Sequence, residues 1–201
     1  MKVTHHSQTL DSLLDKIRSL VARHDIDGFG MRQLAQHVGI SPSVIYYYFK
    51  NKDEMLRAMY QREIKLLGAA RRELSPAHLA EDRLRDLIIF QFQYAESIVA
   101  VLKYYFSNRE LFAKQDFGYL PLKSTLHVEE VIEYGVAQKQ WVSRDIESDA
   151  RVLTHTINGY VLEYFPAEPP EQELETIVQQ IVQFSLAALD PHKKPDVIKY
   201  T

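Results

Sequence analysis

The chain has 201 residues, 46% apolar and 25% charged, enough for a hydrophobic core and for either one large domain or a small domain joined to a larger one. Seven glycines and eight prolines are too few for an all-β fold with many tight turns, and the absence of cysteine excludes disulfides and thiolate chemistry. The net charge is −3, yet residues 1–60 carry eight bases against six acids, the asymmetry expected of a DNA-binding head on an acidic body. No apolar run approaches the roughly 20 residues that cross a bilayer. The polar stretch 1–9 has no signal-peptide core. A cytoplasmic protein is expected.

Taken in chain order, Leu10, Leu13, Leu14, Ile17, Leu20 and Val21 recur at three- and four-residue steps and predict a helix from about Thr9 to His24. A turn-like cluster, Asp25-Ile26-Asp27-Gly28, ends it. Met31, Leu34, Ala35 and Val38 predict a short second helix stopped by Gly39, a residue suited to a left-handed cap. Ser41 as N-cap and Pro42 at the first helical position predict a third helix to Phe49, with Ile45 and Phe49 inward. Asn51 with Glu54 three residues on resembles a capping box opening a fourth helix that ends before Ser75-Pro76. A long apolar ladder from Leu84 to Leu102 predicts two helices with a break between Tyr94 and Phe106. Residues 116–121 read as a loop. Further helices are expected over 127–138, 145–165 and 171–189, with a weakly ordered tail beyond. The class is all-α: a three-helix head over 1–53 and a helical ligand-binding and dimerisation domain over 54–201.

The informative stretch runs from Met31 to Phe49: helix, glycine turn, helix. Ala35 is small where the helices cross, and Ile40 and Ile45 fix the angle between them. The second helix offers small and aromatic residues of the kind that enter a major groove, where hydroxyls reach phosphates and apolar atoms meet thymine methyls. Three consecutive tyrosines on a helix point 100° apart, so packing alone does not account for all of them. A purely structural helix-turn-helix is the rival reading.

Gly28-Phe29, Leu34-Ala35-Gln36, Val38-Gly39-Ile40-Ser41, Val44 to Phe49 and Lys50 to Leu56 together resemble the N-terminal region of the tetracycline-repressor (TetR) family of transcriptional regulators. The resemblance covers about fifty residues. It implies DNA contacts from Arg32 in the second helix, from Pro42, Ser43 and Val44 in the first turn of the recognition helix, and from Tyr46, Tyr47 and Tyr48 behind them. It also implies a phosphate at Lys52, where an ammonium and a helix N-terminus meet. The base-facing turn holds no Arg, Lys, Gln or Asn, so readout leans on Arg32, thymine methyls and DNA shape. The expected protein is a ligand-responsive repressor on a palindromic double-stranded operator.

The aromatic load of residues 90–120 is either bulky core or the wall of an effector cavity. The cavity reading takes Phe90, Tyr94, Tyr105 and Phe117, with His155 and Asn158 of a later helix as polar contacts to a largely apolar effector. Gly159 lies inside that helix, where glycine costs about 1 kcal/mol against alanine unless another helix approaches closely. The last helix carries an apolar stripe too broad for one seam. Both observations predict a homodimer through the last two helices, as in the family. His127 and Glu130 make half a metal site with no second half, and no catalytic or phosphate-loop motif occurs. No cofactor, metal, membrane partner or enzymatic activity is expected. The competing class is an interaction module that has lost DNA binding.

Overall fold

The apolar stripes fold as helices. The computed structural model describes residues 3–74, 79–113, 123–167 and 169–189, with the side chains of 10–74, 79–110, 112, 127–167 and 169–189. Among the described residues there are ten α-helices: α1 (Val3–Arg23), α2 (Met31–His37), α3 (Pro42–Tyr48), α4 (Lys52–Arg72), α5 (Ala80–Gln93), α6 (Ala95–Ser107), α7 (Arg109–Ala113), α8 (Lys123–Ala137), α9 (Ile146–Tyr164) and α10 (Glu171–Leu189). The predicted break in the long ladder falls at Tyr94, and the five-residue α7 lies where no separate helix was expected. The expected loop at 116–121 and the tail after 189 lie outside the described residues.

The contacts divide the chain into two compact units, Met1–Glu73 with Tyr94–Gly118, and Leu74–Gln93 with Tyr119–Thr201. In the first, α6 packs on α1 and α4, and α2 packs on α3. Its core takes Leu13, Leu14 and Ile17 from α1, Leu34 and Ala35 from α2, Ile45 from α3, and Met55 and Met59 from α4. Tyr60, Tyr104 and Phe112 form an aromatic cluster with centroids 5.0–6.1 Å apart, and Tyr105 lies 5.1 Å from Phe112. Much of the described aromatic load between 104 and 112 is therefore packing.

A charge network ties α1, α4 and α6 together. Arg18 pairs with Glu96 at 3.0 Å and with Asp15 at 3.3 Å, and Arg62 with Asp15 at 2.6 Å. Glu63 is fully buried, with Arg62 at 3.2 Å and Arg18 at 3.8 Å. Burial alone would raise the Glu96 carboxyl. The Ser19 hydroxyl and the Arg23 and Arg18 guanidinium groups outweigh it and hold the group below its ordinary 4.5. A carboxyl lowered in the folded state stabilises the fold above its unfolded pKa, and that contribution is lost as pH falls through the lowered value. Glu96→Gln is accordingly expected to lower the thermal midpoint at neutral pH and to flatten its fall below about pH 4.5. Parallel melting curves of the two proteins over that acid range check this.

In the second unit, α8 packs on α9, α5 packs on α8, α9 and α10, and α10 meets α9. The interior takes Leu84, Leu87 and Ile88 from α5, Ile132 from α8, Leu153, Ile157 and Val161 from α9, and Val178, Ile181 and Val182 from α10. Gly135 is required by close approach: a Cβ there would stand 2.4 Å from the buried Trp141 ring and 3.1 Å from the Ala80 Cβ. Gln140 completes the corner by accepting the Ala80 N–H at 2.8 Å, which satisfies one of the first donors of α5. Arg83 stacks over the Tyr134 ring at 3.4 Å, and Arg85 joins Glu175 at 2.9 Å.

Candidate nucleic-acid interface

The turn between α2 and α3 depends on Gly39, whose φ of +70° is the left-handed conformation that L side chains resist. Its N–H reaches Gln36 O at 3.2 Å, and Ile40 N–H reaches Ala35 O at 3.0 Å, closing the end of α2. Ala35, Leu34 and Ile45 are wholly buried, so the two helices cross on small and branched side chains at a fixed angle. The start of α2 is capped by Gln33, which accepts the Gly30 N–H at 2.9 Å. Ser41 precedes α3, but its hydroxyl caps nothing: it lies 2.8 Å from the Ser43 hydroxyl, while its carbonyl accepts from Val44 N–H at 3.0 Å.

This crossing leaves one polar and aromatic face outside. Arg32, Pro42, Ser43, Val44, Tyr46 and Tyr47 are exposed and Tyr48 is half-buried. Tyr46 keeps 50% and Tyr47 68% of its surface free, high values for aromatic side chains on a seven-residue helix. Tyr47 and Tyr48 meet edge-on at 5.1 Å. Gln36, one turn beyond Arg32 and also exposed, extends the polar face of α2, a placement that its i, i+4 spacing from Arg32 signals in the sequence.

The predicted cap of α4 forms in altered shape. Asn51 Oδ1 accepts the Glu54 N–H at 2.8 Å, while the Glu54 carboxylate takes Lys50 N–H at 2.7 Å, one residue before the cap. Lys52 has neighbours that its sequence did not announce. Its ammonium donates to the carbonyls of Ile26 and, at 3.1 Å, of Asp27. It thereby clips the turn after α1 to the N-terminus of α4.

The six effector candidates are dispersed. Phe90 is buried in α5, while Tyr94, between α5 and α6, and Tyr105 of α6 belong to the first unit and are half-buried. Phe117 lies outside the described residues. His155 of α9 is exposed and Asn158, one turn on, is half-buried. On α8 the His127 Nδ1 stands 3.6 Å from Glu130, and among the described residues no three His, Cys, Asp or Glu side chains are grouped to hold a metal. No helix among them is long and apolar enough to cross a membrane.

A head of this geometry defines a helix-turn-helix protein. Residues 13–59 match the sequence profile of the bacterial regulatory proteins of the tetR family. No curated protein matches the sequence. Solved structures share the fold. FadR, a transcriptional regulator from Bacillus subtilis in complex with stearoyl-CoA, aligns with a TM-score of 0.69 at 14% identity, covering 90% of this chain and 99% of its own. A structure described as a transcriptional regulator from Saccharomonospora viridis, in complex with choline, gives 0.68 at 19% identity over 89% and 95%. A bacterial regulatory protein of the tetR family from Rhodococcus RHA1 gives 0.66 at 18% identity over 89% and 95%. Residues 13–59 are thus similar to the N-terminal region of TetR-family regulators, and the chain as a whole shares the all-α fold of these solved structures.

Proposed function

We propose that the chain is a ligand-responsive repressor that grips a near-palindromic operator as a homodimer. The observation that carries this is the exposed Ser43–Tyr47 face of α3 on a rigidly buried crossing, beside Arg32. Arg32 and the three tyrosines position the head on phosphates and thymine methyls, and Pro42, Ser43 and Val44 approach the base edges. Lys52 adds a phosphate contact through the donor that its two carbonyl partners leave over, next to the N-terminus of α4. Lys52→Ala is then expected to lower thermal stability, since two carbonyls lose a charged donor. It is also expected to flatten log affinity against log salt by about 0.9 per subunit, nearly 2 per dimer. A salt titration giving an unchanged slope removes Lys52 from the DNA contacts and leaves it the clip alone.

Division of labour at 53/54 follows from this reading: residues 1–53 hold DNA and 54–201 serve effector and dimer. The packing unit is larger than the DNA-holding part and takes in α4 and α6. Dimerisation is supported by apolar and small residues left uncovered on the last two helices. On α9, Val152 (56% exposed), His155, Gly159 and Leu162 recur at three- and four-residue steps, and a Cβ at Gly159 would meet nothing within 4 Å. On α10, Phe184 is 59% exposed, with Ala187 and Ala188 exposed beside it. This stripe suits a second copy, and it gives His155 an interface to face. Two heads about 34–36 Å apart reach successive major grooves.

The effector reading draws on two neighbours of the same fold, one solved with stearoyl-CoA and one with choline. An effector releases DNA by binding more tightly to a head spacing that does not fit. Mobility shift on the DNA upstream of its own gene tests the whole reading: a discrete complex is expected, and none forms if the protein is an interaction module. Sedimentation at micromolar concentration is expected to give twice the chain mass for the wild type and the single mass for Phe184→Glu. A monomeric wild type would contradict the palindromic operator.

A further inference from the structure

The stretch from His24 to Gly30 joins α1 to α2 and belongs to no helix. It holds two glycines, and a Cβ at Gly28 would meet nothing within 4 Å. Its own main-chain bonds are short-range: His24 N–H reaches back to Leu20 O at 3.0 Å, and Phe29 N–H to Ile26 O at 2.9 Å. Such a stretch does not by itself fix the direction in which the chain enters α2. Its carbonyls are held from outside, by two lysines on different helices. Lys103 of α6 donates to Ala22 O at 2.7 Å and to His24 O at 3.4 Å. Lys52, the first residue of α4, donates to Ile26 O and, at 3.1 Å, to Asp27 O. Four of the six carbonyls from Ala22 to Asp27 are thereby taken by two ammonium groups.

The place of Lys103 follows from the end of α1. Ala22 is buried, and its carbonyl is one of the last four of the helix, which have no N–H of their own helix to accept. An ammonium there meets both the orphan carbonyl and the negative end of the helix dipole. Glu96 lies seven residues before Lys103, two turns away on the same face of α6. It accepts the Ser19 hydroxyl and the Arg23 guanidinium, both at 3.0 Å. Helix α6 thus grips the last turns of α1 at two points, with a carboxylate for the side chains and an ammonium for the main chain. Losing the ammonium leaves a buried carbonyl unpaired.

We propose that Lys103 is a positioning residue for DNA binding: with Lys52 it sets the direction in which the turn after α1 delivers α2 and α3 to the groove. Lys103 lies on α6, outside the helix-turn-helix, and its ammonium is turned to the end of α1, so it acts through the turn and not on the DNA. Helices α2 and α3 pack on each other around Leu34, Ala35 and Ile45, so they shift as one piece and carry Arg32 and the tyrosines with them. Contacts to base edges demand that piece in register, whereas attraction to phosphates does not. The loss of Lys103 therefore falls on specific binding. In the DNA-binding reading Lys52 both clips the turn and meets a phosphate; Lys103 has the clip alone. The effect on DNA rests on that reading; the clip does not.

Amide hydrogen exchange without DNA tests the clip. Lys103→Met keeps the stem and removes the charge, and its His24 and Phe29 amides are expected to exchange about tenfold faster than in the wild type. Lys103→Arg is expected to restore most of that protection, and circular dichroism confirms that both variants fold. On the DNA upstream of its own gene, Lys103→Met is expected to bind about tenfold more weakly. Its affinity for unrelated DNA is expected to change by less than about twofold, with the slope of log affinity against log salt as in the wild type. Lys103→Arg is expected to recover the upstream affinity. Should Lys103→Met fail to fold, Lys103→Gln, which keeps an amide donor, serves for the same measurements. Unchanged exchange overturns the clip, and unchanged affinity for the upstream DNA overturns the positioning role. Weakening on both DNAs with a slope flattened by about 0.9 per subunit overturns it too, by making Lys103 a phosphate contact. Failure of the DNA-binding reading shows differently, as no discrete complex with the wild type; it strikes the positioning role and leaves the clip to be decided by exchange.

Discussion

Tyr46→Ala is expected to weaken operator binding about 30-fold while leaving the fold and the dimer intact. Half of the Tyr46 surface is free, so alanine there opens no cavity in the head. A contact of about 1 kcal/mol made once in each head amounts to about 2 kcal/mol per dimer, which converts to that factor. The contrasting change lies one residue earlier. Ile45 is wholly buried between α2 and α3, and Ile45→Ala is expected to cost about 2–5 kcal/mol and to unfold the head rather than blunt its contacts. Mobility shift and circular dichroism on both variants separate the two roles. Loss of helical signal in the Tyr46 variant would make that tyrosine a packing residue and remove it from the interface.

The second large effect is expected at Gly135. Alanine would put a methyl group 2.4 Å from Trp141, whose ring is buried, so either the ring or α8 has to move. Overpacking of this kind typically costs about 1–3 kcal/mol. For a chain of this length each kcal/mol lowers the melting temperature by about 2–4 °C. In the single chain, with Phe184→Glu as the background of both variants, the same substitution at Gly159 is expected to have the opposite sign. Nothing stands within 4 Å of a Cβ there, and alanine exceeds glycine in helix propensity by about 1 kcal/mol. Calorimetric melts of Gly135→Ala and Gly159→Ala with unchanged or equal midpoints would refute the close approach at α8.

Local chemistry determines the head. Glycine at 39 with a hydrogen-bonding cap, proline at 42, Asn51 with Glu54, and apolar steps at Leu34, Ala35 and Ile45 are short-range signals, and each acts within four residues of where it is read. The exposure of Tyr46 and Tyr47 follows from helical geometry once Ile45 points inward. The same is true of the helix ladder over 84–102, whose period gives two helices and leaves their break open. Ser41 opens α3 through its backbone, as its residue type predicts, while its hydroxyl turns to Ser43, a choice between two near neighbours that the residue type leaves undecided.

Contacts between residues far apart in the chain were decided by the tertiary structure. Glu96 meets Arg18 and Arg23 across more than seventy residues, Lys103 reaches the end of α1, and Gln140 caps α5 from sixty residues away. Composition offers each of these groups many partners, and packing selects one. Gly135 looked like any helical glycine until Trp141 was set against it, whereas Gly159, singled out by sequence for close approach, lies open within a single chain. The aromatic segment divided the same way: Tyr104 and Phe112 went into a packed cluster, while Phe106 stayed at the rim of a cavity. Periodicity tells which residues are apolar enough to be buried. Which of them close-pack and which enclose a hollow depends on the shapes that distant helices bring together.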